Sequence, residues 1–141
     1  MRLFSHDTKV EALGRCSLFE GLSKKELGEL ARVTEDLEVG PGKVLCREGA
    51  AASELFVIID GEVEVTKGGK PITTLGSGEF FGEIALIERT ARTATVTATT
   101  PLRFFVLTSR GFWALIEHSP AVERKVLRAL AKRLAPSDPT L

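Results

Sequence analysis

Short β-type runs broken by glycine turns, framed on both sides by amphipathic helical segments, predict an α+β domain for this chain. Three observations carry that expectation. Between about residues 35 and 107, β-branched and aromatic runs alternate with turn residues, as in a β-sandwich or a jelly-roll barrel. On either side of that stretch, apolar residues recur at helical spacing behind capping signals. With 141 residues and 43% hydrophobic content, the chain holds apolar material for one core, so a single domain over residues 1–141 is expected.

N-terminal helices are expected over about residues 8–34. Thr8-Lys9-Val10-Glu11 and Ser23-Lys24-Lys25-Glu26 both have capping-box spacing, in which a hydroxyl and a carboxylate satisfy backbone N–H groups of a first turn. Behind the second, Leu27, Leu30 and Ala31 recur at helical spacing. Leu18 and Phe19, just before Gly21, read as a packing anchor in the turn between the helices. From Leu37 the period changes. Gly40-Pro41-Gly42 marks a turn, and Val44–Cys46 and Leu55–Ile59 follow as β-type runs. Asp60-Gly61, set between Phe56–Ile59 and Val63–Val65, predicts a two-residue hairpin. Gly68-Gly69 marks the next turn, before a strand over Ile72–Leu75. Strands over Thr93–Thr99 and Leu102–Leu107 are parted by Thr100-Pro101. Helices return over about 109–135. Thr108 or Ser109 caps a turn carrying Phe112, Trp113, Leu115 and Ile116, and Ser119-Pro120 offers an N-cap with proline at the first helical position. The last helix shows Val122, Val126, Leu127, Leu130, Ala131 and Leu134 as one stripe, and Ala135-Pro136 ends it.

Composition excludes several classes of function. The 19 basic and 19 acidic side chains cancel, whereas a dedicated nucleic-acid binder carries a basic excess. Apolar runs such as Leu55–Ile59 reach only five residues, far short of the ~20 that span a bilayer. The first seven residues lack the apolar segment of a secretion signal, so the expected location is cytoplasmic. Cys16 and Cys46 each sit in an apolar setting and read as buried free thiols rather than a disulfide. His6 and His118 have no partners at metal-ligand spacing, so no metal or cofactor is expected. No nucleophile elbow, P-loop or zinc-hydrolase helix is present, and an enzyme is not expected. Gly76-Ser77-Gly78-Glu79-Phe80-Phe81-Gly82 resembles a dinucleotide fingerprint, but its third glycine falls one place late and the strand–turn–long-helix context is missing.

The most informative segment is Phe80 to Val96. It places Gly82 and Glu83 at the mouth of a short apolar helical turn and Arg92 nine residues beyond the glutamate, at the start of a β-branched strand. A helix N-terminus offers unpaired N–H groups and a partial positive charge to an anion. Gly82 leaves the backbone open to close approach. Arg92 can donate a charge-assisted fork to a phosphate, and Thr93 adds a hydroxyl. Glu83 accepts well from sugar hydroxyls. The set suits a ligand with one phosphate and a free ribose hydroxyl, which describes a cyclic nucleotide.

Phe81-Gly82-Glu83-Ile84-Ala85-Leu86-Ile87, a four-residue spacer, then Arg92-Thr93-Ala94-Thr95-Val96 resembles the phosphate-binding cassette of cyclic nucleotide-binding domains. The resemblance runs from about Leu18 to Leu134. It departs at Ala91, where many members have proline. It implies a jelly-roll (double-stranded β-helix) barrel with the cassette over residues 80–96. It implies that Glu83 holds the ribose 2′-hydroxyl and Arg92 the cyclic phosphate, with the N–H groups of Gly82, Ile84, Ala85 and Ala94 and the Thr93 hydroxyl completing the cradle. It further implies closure of the C-terminal helix over the base. Leu130, Arg133 and Leu134 are the candidate lid residues, and Val63, Ile72 and Leu75 the candidate pocket wall. For the leucines, Val63 and Ile72, core packing is an equal reading, as solvation is for Arg133. Thr93 occurs in cAMP-selective and cGMP-selective members alike; with no other guanine-specific contact, cAMP is the expected ligand and cGMP the alternative. The expected partners are a cyclic nucleotide and a protein effector or a missing effector domain, with no nucleic acid or membrane bound through this domain. A domain of this fold that binds no nucleotide and serves as an interaction module is the competing reading. A helix-turn-helix after the last helix is not expected, and the span from Met1 to a polar tail is expected to be a free-standing chain, with a fragment of a channel or regulator as the alternative.

Overall fold

The computed structural model describes residues 6–51, 53–82 and 91–134. Helix α1 (His6–Gly14), a single 3-10 turn (Ser17–Phe19) and α2 (Lys24–Arg32) come first. Eight strands follow: β1 (Thr34–Val39), β2 (Val44–Cys46), β3 (Glu54–Asp60), β4 (Val63–Lys67), β5 (Lys70–Leu75), β6 (Phe80–Phe81), β7 (Thr95–Ala98) and β8 (Leu102–Thr108). Helices α3 (Ser109–His118) and α4 (Pro120–Leu134) close the order. All pairings are antiparallel, in two sheets of order β1-β8-β3-β6 and β2-β7-β4-β5. This is the expected α+β jelly roll, with its described strands hydrogen-bonded as two sheets rather than one closed ring.

The continuous apolar runs in β3 and β8 have a simple cause: both strands are buried on both faces. Alternate residues of β3 and β8 (Leu55, Val57, Phe105, Leu107) join a core shared with the helices. Their neighbours Phe56, Ile58, Phe104 and Val106 join a second core inside the roll, with Val63, Leu75, Val96 and Ala98 of the other sheet. A strand covered on both faces loses the polar alternation of a half-exposed one. The second sheet keeps its outer face in solvent, and five of the six residues of β5 are exposed.

Leu18 and Phe19 are 0% and 2% exposed, so the expected anchor between the first helices is present. The Ser23 capping box forms in full: Ser23 Oγ accepts from Glu26 N at 3.1 Å, and Ser23 N donates to Glu26 Oε1 at 2.7 Å. The Thr8 box does not mark a helix start, because α1 already runs from His6 and puts Thr8 inside the helix; the spacing alone does not distinguish a cap from a first-turn interior. Thr108 caps α3 by accepting from Gly111 N at 3.1 Å. Ser119 accepts from Val122 N at 3.3 Å at the head of α4. In α4, Val122 and Val126 pack fully into the helical core, but Leu127 is 52% exposed and Ala131 is also exposed, so the buried stripe is narrower than expected. Leu127 lies ~100° around the helix from Val126, far enough to leave the contact face. Lys125 Nζ donates to Glu26 Oε1 at 3.1 Å, tying α4 to the capped start of α2. Another pair locks the first sheet: Arg103 of β8 grips Asp36 of β1 with Nε to Oδ1 at 3.1 Å and Nη2 to Oδ2 at 2.6 Å.

Asp60-Gly61 is not a hairpin. Strand β3 belongs to one sheet and β4 to the other, so the turn carries the chain across the roll. It stacks on another crossing between the sheets, at Thr100-Pro101: Glu62 N donates to Thr100 Oγ1 at 2.9 Å and Thr99 N to Glu62 O at 3.0 Å. The two-residue hairpin is at Gly68-Gly69, where φ is +59° and +78° and Lys67 pairs with Lys70, the two positive φ values that a type I′ turn needs. Strand β1 from Thr34 and the two-residue β6 had no period long enough to announce them. At Gly61, φ is +104° and an added Cβ would overlap the carbonyl oxygen of Pro101. Gly61→Ala should therefore lower stability by about 2–4 kcal/mol in urea unfolding; a change within error would mean the two crossings do not need this contact.

Candidate functional site

The site is built where β3, β6 and the chain entering β7 meet. Arg92 is only 8% exposed. Its backbone is clasped by the turn after β2: Gly49 N donates to Arg92 O, and Arg92 N donates to Ala50 O, both at 2.8 Å. That turn is held in its own right, since Glu48 N donates to Thr95 Oγ1 at 3.0 Å and the Glu48 carboxylate accepts from Gly68 N at 2.9 Å. The Arg92 side chain runs inward. Nη2 donates to the Glu54 carbonyl at 2.8 Å and Nη1 to the Gly82 carbonyl at 3.3 Å. The guanidinium carbon lies 5.6 Å from the centre of the Phe56 ring. Phe56 itself stacks on Phe81, with ring centres 4.8 Å apart and planes 13° from parallel.

Gly82 sits beside this group with φ +96°. A Cβ there would lie 2.6 Å from Arg92 Nη1 and 2.8 Å from the Glu54 carbonyl oxygen, so both the backbone conformation and the close approach require glycine. Among the described residues no carboxylate lies within salt-bridge distance of Arg92. A buried cation satisfied by carbonyls alone keeps its full charge and attracts an anion strongly.

Of the other expected residues, Thr93 is exposed and Ala94 half-buried, both on the bend leading into β7. Glu83, Ile84 and Ala85 lie outside the described residues, as do Leu86 and Ile87. Val63 and Leu75 are buried in the roll interior, at 0% and 8% exposure, while Ile72 is 55% exposed on β5. Leu130, Arg133 and Leu134 fall on α4, and their side chains are outside the described residues. The Gly76–Gly82 stretch, which resembles a dinucleotide fingerprint, is instead a tight turn at Gly76–Glu79 running into β6, in which Glu79 N donates to Gly76 O at 3.0 Å and Gly76 N to Glu79 Oε1 at 2.9 Å. A groove of about 370 Å³ opens at a different place, lined by Glu38, Val39, Gly40, Asp60, Pro101, Leu102 and Arg103. It shares no residue with the Arg92 site and presents both signs of charge. The described residues hold no cluster of three metal-ligating side chains and no helix long and apolar enough to cross a membrane.

Residues 36–119, more than half of the chain, match the family model described as the cyclic nucleotide-binding domain. The chain belongs to that family. This cyclic nucleotide-binding domain is 36% identical over 116 residues to a cyclic nucleotide-gated potassium channel of Rhizobium etli, covering 82% of this chain and 32% of the channel. It is 37% identical over 101 residues to the cAMP-dependent protein kinase regulatory subunit of Yarrowia lipolytica, covering 70% of this chain and 27% of that one. It thus spans about a third or less of these curated relatives. Among solved structures, the regulatory domain of Toxoplasma gondii PKA with cAMP superposes with a TM-score of 0.71 at 26% identity, covering 78% of this chain and 44% of that one.

Sequence reasoning did not single out Phe56, Glu54 or the Gly49–Ala50 turn as parts of the site. Glu54 and Ala50 act through backbone carbonyls, which any residue supplies, and Phe56 is indistinguishable from core in an apolar run. In the sequence, Cys46 reads only as a buried thiol. Both cysteines are indeed buried, and Cys46 lies close enough to the site to feel its charges. Burial pushes its thiol up to about 11, with the Arg92 charge opposing and the Glu54 carboxylate adding. An ordinary thiol ionises near ~8.5. Between those values the unfolded chain releases this proton while the folded chain keeps it, so stability is intact below about pH 8.5 and falls as pH rises towards about 11. The slope of stability against pH in that window, measured by urea unfolding, should be shallower in Cys46→Ala; an equal slope would place the thiol in a less buried setting.

Proposed function

We propose that this cyclic nucleotide-binding domain is a sensor that binds cAMP in preference to cGMP and signals through its C-terminal helix to a protein effector. One observation carries the reading: Arg92 is a buried guanidinium held by backbone carbonyls and paired with no described carboxylate. Arg92 takes the cyclic phosphate. The N–H groups of Gly82, Ile84, Ala85 and Ala94 and the Thr93 hydroxyl complete the cradle, and Glu83 accepts from the ribose hydroxyl. The names of the Yarrowia and Toxoplasma relatives, one cAMP-dependent and the other solved with cAMP, support the choice of purine. Apart from Thr93, the sequence offers no guanine-specific polar group. Leu130, Arg133 and Leu134 are the lid, and Val63, Ile72 and Leu75 the wall. No step of the activity needs an enzyme. A cytoplasmic location and a protein effector, rather than nucleic acid or lipid, complete the proposal.

The motion has a physical route. Adjacent residues of β6 serve two cores: Phe80 packs with the helices and Phe81 stacks on the Phe56 ring beside Arg92. A ligand that draws Gly82 inward pulls on both cores at once. The helical core includes Phe112 and Ile116 of α3 and Val122 and Val126 of α4, so a shift of Phe80 reaches the C-terminal helices directly. The ligand need only bind the shifted state more tightly to populate it.

Calorimetric titration with cAMP and, in parallel, cGMP tests the binding. Arg92→Leu should weaken cAMP binding by about two to three orders of magnitude, since it leaves a phosphate charge desolvated without a partner. Glu83→Ala should cost less, about 1.5–3 kcal/mol. Unchanged affinity in Arg92→Leu would overturn the site, a silent Glu83→Ala would overturn the ribose assignment, and no binding by the wild-type protein would favour the nucleotide-free interaction module. Helix movement has its own readout. Trp113, the sole tryptophan, lies in α3 with its indole N–H buried and, among the described residues, without a hydrogen-bond partner. Saturating cAMP should shift its emission; emission identical in both states would mean that α3 keeps its packing on binding.

A further inference from the structure

We propose that Phe56 is a positioning residue of the phosphate site, its ring holding the Arg92 guanidinium in place without neutralising it. The proposal rests on Arg92 being the phosphate ligand. Three contacts fix that side chain, and all come from one corner of the first sheet: the Glu54 carbonyl, the Gly82 carbonyl and the Phe56 ring. Glu54 stands two residues before Phe56 in β3, and Gly82 directly follows Phe81, the residue that pairs with Phe56 across the β3–β6 ladder. The pairing therefore sets the ring and both carbonyls together.

The chemistry of the three contacts matters. A carboxylate partner would hold a guanidinium as firmly, but it would cancel the charge and compete with a phosphate. Carbonyl dipoles and the negative face of a phenyl ring orient the group and leave its net charge intact. Two of the five N–H groups are spent on carbonyls among the described residues, which leaves three for an anion. Phe56 is 5% exposed and is braced by Phe81 in near-parallel stacking, while Phe104, 5.8 Å away and tilted by 53°, only fills the space beside it. A ring so confined cannot swing out, so the cation lying 5.6 Å from its centre is confined as well. A core phenylalanine that merely filled space would have no reason to lie under the one buried cation of the site.

The test separates ring face from packing, and positioning from ligand identity. Phe56→Met keeps most of the volume and removes the ring; Phe104→Met makes the same change in the same core, on a ring that does not bear on Arg92. In ligand-free protein, the ¹⁵N heteronuclear NOE of Arg92 Nε should be that of a rigid group in wild type and in Phe104→Met, and should fall to that of a mobile side chain in Phe56→Met. In calorimetry with cAMP, Phe56→Met should bind about three- to tenfold more weakly and Phe104→Met within twofold of wild type. Should Phe56→Met fail to fold, Phe81→Met, which removes the brace, should move both readouts in the same direction by less. A rigid Arg92 in Phe56→Met, or equal loosening in Phe104→Met, would overturn the proposal. A wild-type protein that binds no cAMP would sink the sensor reading, and the NOE arm, which needs no ligand, would still decide whether Phe56 holds Arg92.

Discussion

Strands β3 and β8 are covered on both faces, and the placement of every other element follows from that. One set of alternate side chains must be met by helices, the other by the opposite sheet. The helices arrive from both ends of the chain to cover the same outer face: Leu13, Leu30 and Phe112 lie in one cluster with Leu55 and Phe105. Burial of apolar surface on two faces, at about 25 cal/mol per Å², holds these strands firmly in place. A ligand site hung from β3 therefore has a rigid back wall.

The opposite edge of that wall is thin. Strand β6 is only two residues long, yet it connects the turn at Gly78 to the cassette and sits between the two cores. Its two phenylalanines point to opposite faces because the side-chain period of a strand is two. The same alternation that assigns Phe80 to the helices and Phe81 to the site makes β6 the natural place for ligand occupancy to be felt on both sides of the sheet. The Lys125–Glu26 contact ties α4 to α2 on the helical side, so the movement we propose for the last helix would work against a half-buried ion pair worth on the order of 1 kcal/mol. Such a restraint holds a resting arrangement and yields easily.

The charge balance of the whole chain is neutral, but the local balance at the site is not. Arg92 stands among a thiol that burial keeps protonated, two phenyl rings and backbone carbonyls. A buried charge in such surroundings is costly unless an anion shares the site. Among the described residues the guanidinium is given carbonyl dipoles rather than a counter-charge, and the phosphate affinity we propose would follow from that arrangement.

Much of this was legible in the residues alone. The helix caps at Ser23, Thr108 and Ser119, the anchor at Leu18 and Phe19, the α+β order of elements and the spacing of Gly82 and Arg92 are local signals, set by hydrogen bonds or contacts within a few residues or by a motif read as a unit. What eluded the residues has one physical origin: it depends on which distant segments meet. Asp60-Gly61 has the chemistry of a hairpin, but the pairing of β3 with β8 and of β4 with β7 turns it into a crossing between sheets. Leu127 fits a helical stripe, but the groove it would fill is narrower than the stripe. Phe56 reads as core, and only the β3–β6 register puts its ring beside Arg92. The sequence by itself determined the family motif around Gly82 and Arg92 and roughly where helices and strands lie, because capping, periodicity and glycine freedom act over a few residues. The tertiary structure alone decided which strands pair and how the guanidinium is held, because carbonyls and ring faces acquire a role only through the partner that long-range packing brings to them.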